Sequence, residues 1–463
     1  MTSRYPDRKR FPVAKTVSRR ALLGMALAPA FSGVARAATD GVSLRGSIDA
    51  GEFGVRAGSA DDQRPALQAG IDAAARDGRP LFLAPGRYRT SGLVLPSRTT
   101  LIGVPGSTRL VLQGQGPLLA SRGTRSVTLD GLTLDGATGS IPGTFGGLVQ
   151  FERVAMLRVT GCALLDSPKS ALTLTSCNGW ITRNHISGAR DYALYGLDSE
   201  GLTISENEVA DCADGGILVH GSIDREDGTV VSANRIQRIG ARSGGTGQWG
   251  NGINVYRADN VVIANNRVSD CAFSAIRSNG GSDVQIVGNN CLRSGETAIY
   301  SEFVFQGAVI SSNVVNGAAH GISIANSNEN GRLAVCANNL VRNLYPVGPY
   351  ERDPPGFGTG IWVEADTTVT GNVIEAAPLF ALALGWGPYL RNVSATGNVI
   401  RDAGIGIAVT VVEGSGKTVI ANNIITRARR GAIVGFRWAE RVTEDLKIKG
   451  AEDWPHLLIS GNH

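Results

Sequence analysis

Short apolar runs with alternating inward and outward positions recur along the chain from Leu81 onward. Many fit the unit Ile/Val-x-x-Asn-x-Ile/Val/Leu. Its asparagines are Asn184, Asn207, Asn234, Asn266, Asn290, Asn313, Asn339, Asn372, Asn398, Asn423 and Asn462, spaced by 23, 27, 32, 24, 23, 26, 33, 26, 25 and 39 residues. Cys162, in Val159-Thr160-Gly161-Cys162-Ala163-Leu164, takes the same place one coil earlier. A period in the low twenties with occasional insertions marks a solenoid, because each repeat can bury its apolar face only against its neighbours. Asparagine suits a tight turn: it tolerates left-handed backbone and bonds locally. Stacked at about 4.8 Å, the asparagines would bond coil to coil. They are expected to be scaffold, not catalytic groups.

About ten residues after each asparagine comes a second apolar strand. Examples are Ile217-Leu218-Val219-His220, Ile253-Asn254-Val255-Tyr256, Ile276-Arg277-Ser278-Asn279, Ile299-Tyr300-Ser301-Glu302 and Ile361-Trp362-Val363-Glu364. Period-two alternation puts their second and fourth residues on one outer face. One column is then Tyr195, Leu218, Asn254, Arg277, Tyr300, Ser323 and Trp362. The other is His220, Tyr256, Asn279, Glu302, Ala325 and Glu364. Two coils are longer, by insertions at 241–249 and 345–355. Insertions in solenoids become loops on one face, often the binding face. These two are expected to wall a groove beside the columns.

Ahead of the coils, residues 61–77 read as one amphipathic helix. Asp61 or Asp62 can cap it, Pro65 sits in its first turn, and Leu67, Ile71 and Ala74 share a face. A solenoid needs such a cap, since its first coil would otherwise expose an open core and an unpaired edge. The expected fold is all-β: a right-handed parallel β-helix, a single-stranded solenoid with an N-terminal capping helix. The expected division is a signal segment at 1–37, cap and first coils at 38–120, and asparagine-ladder repeats at 121–463.

Charge alters the picture only at the N-terminus. The formal net charge is +5, but residues 1–37 hold eight Lys/Arg and one acid, so the remainder carries 37 basic against 39 acidic residues. That balance lacks the basic footprint of a nucleic-acid binder. Ser18-Arg19-Arg20-Ala21-Leu22-Leu23, an apolar run from Ala21 to Val34, and Ala35-Arg36-Ala37 resemble a twin-arginine (Tat) signal with cleavage after Ala37. The run is shorter than the ~20 residues needed to span a bilayer, so no stable membrane span is expected. The Tat translocon would be a partner during export, and the location periplasmic or secreted. The six cysteines form no CxxC pair and no metal-ligand cluster. They are expected to pack as buried free thiols, with a disulfide open in an oxidising compartment.

The helix stretch Ala66-Leu67-Gln68-Ala69-Gly70-Ile71-Asp72-Ala73-Ala74, then the segment 79–103 beginning Arg79-Pro80-Leu81-Phe82-Leu83, resembles the opening of pectin-lyase-like β-helix proteins. That group includes pectate lyases, polygalacturonases, alginate epimerases and phage tailspikes. With the Arg-Arg signal and the repeats, the whole chain resembles a family of Tat-translocated repeat proteins. The resemblance implies fold and export but no particular reaction. The Asn-Thr-Asp, Asp-Asp, Gly-His-Gly and Arg-x-Lys set of polygalacturonases is missing. So are the Asp-Pro-His of alginate epimerases and the Arg-x-Pro-x-x-Arg of pectate lyases. No catalytic residue is carried over from those groups.

The outer columns themselves suggest sugar chemistry. Aromatic faces stack on pyranose C–H groups, and Asn, Arg and Glu bond hydroxyls or carboxylates. A polysaccharide lyase or epimerase acting on an acidic glycan needs a base for the proton beside the carboxylate and a cation to neutralise that carboxylate. Arg277 is the candidate cation, and His220, Tyr256, Tyr300 and Glu302 are candidate proton carriers. Tyr195, Asn254, Asn279, Trp362, Glu364 and Trp249 are candidate sugar contacts. A hydrolase needs two carboxylates roughly 5–9.5 Å apart, and Glu302 and Glu364, two coils apart, fit poorly. Asp191, Asp198, Glu200 and Asp214 enlarge the pool of acids without making a signature. No metal site or other cofactor is expected, although calcium is possible through acids on neighbouring coils. The alternative is a non-catalytic glycan-binding or cell-envelope structural repeat protein.

Overall fold

The computed structural model describes residues 46–143, 146–325 and 330–463. The signal expected at 1–37 lies outside them. The described chain is a right-handed parallel β-solenoid with a single α-helix, α1 (Arg64–Asp77), near its start. One face is a sixteen-stranded parallel sheet from Ile48–Asp49 to Leu457–Ser460. A typical coil shows how the sequence turns. Thr203–Ser205 lies in that sheet, Glu206 bends the chain at φ +58°, and Asn207 follows. Then come the strand Glu208–Ala210, a second left-handed corner at Asp211 (φ +57°), and the long strand Gly215–Glu226. Inward Ile, Val and Leu from all three strands form one continuous core from Ile48 to Leu446.

The asparagine ladder is present, with one member reassigned. Asn289, not Asn290, stands in the series. Its Oδ1 accepts from the backbone N and the Nδ2 of Asn266, both at 3.0 Å, and its own N and Nδ2 donate to Asn313 Oδ1 at 2.9 and 3.1 Å. Asn290 is one step on, paired across strands with Arg267 and Val314. The reason is the corner. The left-handed residue precedes the ladder residue in each coil (Arg183, Glu206, Ala233, Asn265, Gly288 at φ +68°, Ser312). The ladder asparagines are therefore not in the turn conformation for which the sequence suggests them. They earn their place by hydrogen bonding. Asn207 Oδ1 accepts two bonds from Asn184, and its Nδ2 donates to Ile181 O at 2.9 Å and to Asn234 Oδ1 at 2.9 Å. Both lone pairs and both amide hydrogens are used. Cys162 begins the ladder as expected, its backbone N donating to Asn184 Oδ1 at 3.0 Å.

Helix α1 starts at Arg64, three residues later than the sequence suggests. Asp62 still serves its N-terminus, accepting from Arg64 N at 2.9 Å. Leu67, Ile71 and Ala74 are buried against the first coils. The exposed face of α1 also tends the strand edge: Gln68 donates to Val94 O at 2.8 Å and accepts from Val94 N at 2.9 Å. One amide side chain thus occupies both edge groups of Val94. All six cysteines are buried and free, and burial pushes Cys162, Cys212, Cys291 and Cys336 up to about 12. No helix among the described residues is long and apolar enough to cross a membrane.

Candidate functional site

Strand register sets the outer columns. Tyr195, Leu218, Asn254, Arg277, Tyr300, Ser323 and Trp362 are cross-strand neighbours in that order. His220, Tyr256, Asn279, Glu302 and Ala325 run beside them. The face is not one open groove. Among the described residues it carries several clefts, and two of them flank a charged cluster whose Arg277 also lines the first.

The first cleft has a volume of about 600 Å³ and contains Tyr195, His220, Asn254, Tyr256, Asn279 and Trp249. The first insertion forms one wall. Asp214 pins it, accepting from Ser243 N at 2.7 Å and from Ser243 Oγ at 2.6 Å. Tyr192 and Trp249 both line the cleft, and burial pushes Tyr192 up to about 12. His220 is 7 % exposed and lies edge-on between Tyr195 and Tyr256, with ring centroids at 5.4 and 5.6 Å. Burial lowers its pKa to about 4, and its Nε2 has no hydrogen-bond partner among the described residues. It is a neutral imidazole with an unused nitrogen.

Arg257 completes this cleft, and the alternation pattern misses it. Period two sends Arg257 inward, but its φ of +51° ends the alternation. Its guanidinium lies 5.2 Å from the Tyr256 ring centroid, its side chain is nearly half exposed, and Asp224 is 3.4 Å away. The turn-prone run Arg257-Ala258-Asp259-Asn260 at the end of the strand Asn251–Asp259 is the one sequence signal for it.

Arg277 is not the free cation that the columns suggest. It is 6 % exposed, and its Nε donates to Glu302 Oε1 at 2.6 Å. A second carboxylate, Glu296, stands 3.8 Å from its Nη1. Burial opposes its charge, but the two carboxylates outweigh burial and raise its pKa. Glu302 also accepts from Asn279 Nδ2 at 3.0 Å, so it is engaged as well. Tyr300 lies under the guanidinium, 5.0 Å from ring centroid to Cζ, and burial together with Glu302 raises its pKa. Glu296, absent from the sequence candidates, is the centre of the cluster. It accepts from Thr246 Oγ1 at 3.1 Å, which comes from the first insertion, and from Tyr350 Oη at 2.6 Å, which comes from the second. Thr246 Oγ1 in turn accepts from Arg277 Nη1 at 2.7 Å. The acids Asp191, Asp198 and Asp214 are also occupied, by Lys169, by Ser222 N and by Ser243.

The second cleft, of about 390 Å³, takes Trp362, Glu364, Tyr300 and Ser323 from the columns, with Arg352 and Trp386. Trp362 and Glu364 therefore do not share a cleft with the other expected sugar contacts. No group of three or more His, Cys, Asp or Glu among the described residues is arranged to hold a metal ion.

Coils of this geometry, carrying clefts on one outer face, define a parallel β-solenoid. The chain belongs to the right-handed β-helix region family, which it matches over residues 122–245, 170–343 and 222–391. No curated protein matches it. Among solved structures it is similar to the pre-mature gene product 12 of bacteriophage phi29, with a TM-score of 0.57 at 12 % identity over 86 % of this chain. The chain spans 58 % of that protein's length. The catalytic unit of a GH87 α-1,3-glucanase from Streptomyces thermodiastaticus superposes with a TM-score of 0.47 at 13 % identity, covering 91 % of this chain and 69 % of that one. The mannuronan C-5 epimerase AlgE4 A-module of Azotobacter vinelandii gives 0.42 at 19 %, covering 82 % and 99 %. At such identities the likeness is one of fold.

Proposed function

We propose that the chain is an exported carbohydrate-active protein that acts as a lyase or epimerase on an acidic polysaccharide at the first cleft. One observation carries this reading: a neutral His220 between two tyrosines, in a cleft that also presents the half-exposed Arg257 guanidinium. His220 takes the proton from the carbon beside a uronate carboxylate. Arg257 neutralises that carboxylate as negative charge spreads into it. In elimination, the electron pair left behind forms the carbon–carbon double bond, the glycosidic C–O bond breaks, and the Tyr256 hydroxyl gives its proton to the leaving oxygen. In epimerisation, Tyr256 instead returns a proton to the opposite face of the same carbon. Tyr195 and Trp249 supply stacking faces, and Asn254 and Asn279 supply amides for hydroxyls. Export by the Tat translocon to the periplasm or beyond rests on Arg19-Arg20 and Ala35-Arg36-Ala37.

A binding-only protein is the second reading. The closed Arg277 cluster favours it, since the most central cation of the face is already neutralised by protein carboxylates. The test is incubation with alginates, pectates and neutral glycans, following unsaturated ends by ultraviolet absorbance. Turnover of an acidic glycan is expected, with losses of about 100-fold or more in His220→Ala and in Tyr256→Phe. Binding without turnover across a panel that contains the ligand would leave the second reading standing.

A further inference from the structure

We infer that the second cleft is a distal subsite for an acidic sugar of the same polymer, built on Arg352 and Trp362; this rests on the first cleft being an acidic-glycan site. Arg352 comes from the second insertion. Its guanidinium lies over the rings of Phe357 and Trp362, with Cζ at 5.4 and 5.7 Å from their centroids. It forms no ion pair among the described residues, in contrast to Arg277. Its charge is felt locally: with burial, it helps to depress His320. Trp362 presents a partly exposed ring, and its Nε1 has no hydrogen-bond partner among the described residues. The cleft therefore offers a guanidinium that forms no close ion pair among the described residues and a stacking face, with Tyr300 and Ser323 also lining it. That is the chemistry of a uronate residue: carboxylate on guanidinium, ring on indole. Glu351, Asp353 and Glu364 also border the cleft, and the exposed Glu351 and Asp353 can accept from sugar hydroxyls. The aromatic surface continues beyond it, from Trp362 to Trp386 at 5.7 Å and from Trp386 to Trp438 at 5.5 Å.

Tyr256 and Trp362 are four coils apart, about 19 Å along the axis at the strand spacing of a sheet. The Arg277–Glu296–Glu302 cluster stands between the clefts. A disaccharide seated beside His220 cannot reach Arg352, whereas a long oligomer crossing the cluster can. Linking two sites through one ligand raises its affinity well above that of either alone.

Calorimetric titration of the full chain with uronate disaccharides and long oligouronates of the same sugar tests this. The long oligomer is expected to bind at least about tenfold more tightly than the disaccharide. Arg352→Gln, which keeps a side-chain stem but removes the charge, should abolish most of that advantage and leave the affinity of the disaccharide for the first cleft unchanged. Arg352→Lys should restore part of it. A long oligomer that binds no better than the disaccharide overturns the distal subsite while the first cleft stands. So does an advantage that survives Arg352→Gln. Failure of both ligands to bind the unaltered chain overturns the first-cleft reading and the subsite with it. Matching thermal midpoints for the variants exclude loss of fold as the cause.

Discussion

Asn289 and Asn290 show how finely a repeat must be read. Both are asparagines in a strand-forming run, and a spacing rule alone accepts either. The corner decides, because the left-handed residue comes before the ladder position and Gly288 takes it. A direct consequence follows for two substitutions. Asn313→Ala removes the acceptor for Asn289 N and Nδ2 and the donor to Ile286 O, all buried. Stability should fall by about 2–5 kcal/mol, since buried partners lose their bonds. Asn290→Ala should stay within about 1 kcal/mol. Urea unfolding of both checks the register, and equal losses would contradict it. His220 and His320 give a second residue-scale expectation. Burial holds their pKa values at about 4 and about 3, below the exposed value of 6.5. The unfolded chain therefore takes up protons first as the pH falls. Stability should be flat above about pH 6.5 and drop steadily from there towards pH 4. Denaturant midpoints across that range measure it, and His320→Gln should flatten the slope.

At the scale of elements, strands were legible and loops were not. Alternation gave both outer columns in register because a period of two has no freedom once the inward face is buried. The landing of the insertions depends on tertiary contacts that no local pattern encodes. Sequence placed them beside the columns but did not show that both reach the same carboxylate. Glu296 was hidden because it lies in Asn290–Glu302, before the inward–outward run that starts at Ile299. Arg257 was hidden by its corner. The candidate site was thus half readable: its aromatic members lie on the columns, while its accessible cation and its latch do not. Glu296→Ala should loosen both insertions at once, because Thr246 and Tyr350 lose a shared partner. Removing one member of a buried charged cluster costs about 3–5 kcal/mol, although the loss of one of two carboxylates around Arg277 places this at the lower end. Limited proteolysis should show new cuts in both 241–249 and 345–355. Cutting in only one of them would contradict a common latch.

For the molecule as a whole, the solenoid supplies length and the insertions supply sites. Among the described residues one face carries clefts along the axis, two of them separated by a saturated ion cluster. Without residues 1–37 the chain is close to neutral, so under the proposed function attraction of an acidic polymer would depend on local cations and not on overall charge. The most direct test is incubation of the chain with acidic oligouronates in heavy water, with products read by NMR. Chemistry at His220 and Tyr256 predicts either deuterium at the carbon beside the carboxylate or a double bond there, and loss of both signals in His220→Ala and Tyr256→Phe. Unchanged signals in those two variants would place the chemistry elsewhere on the solenoid.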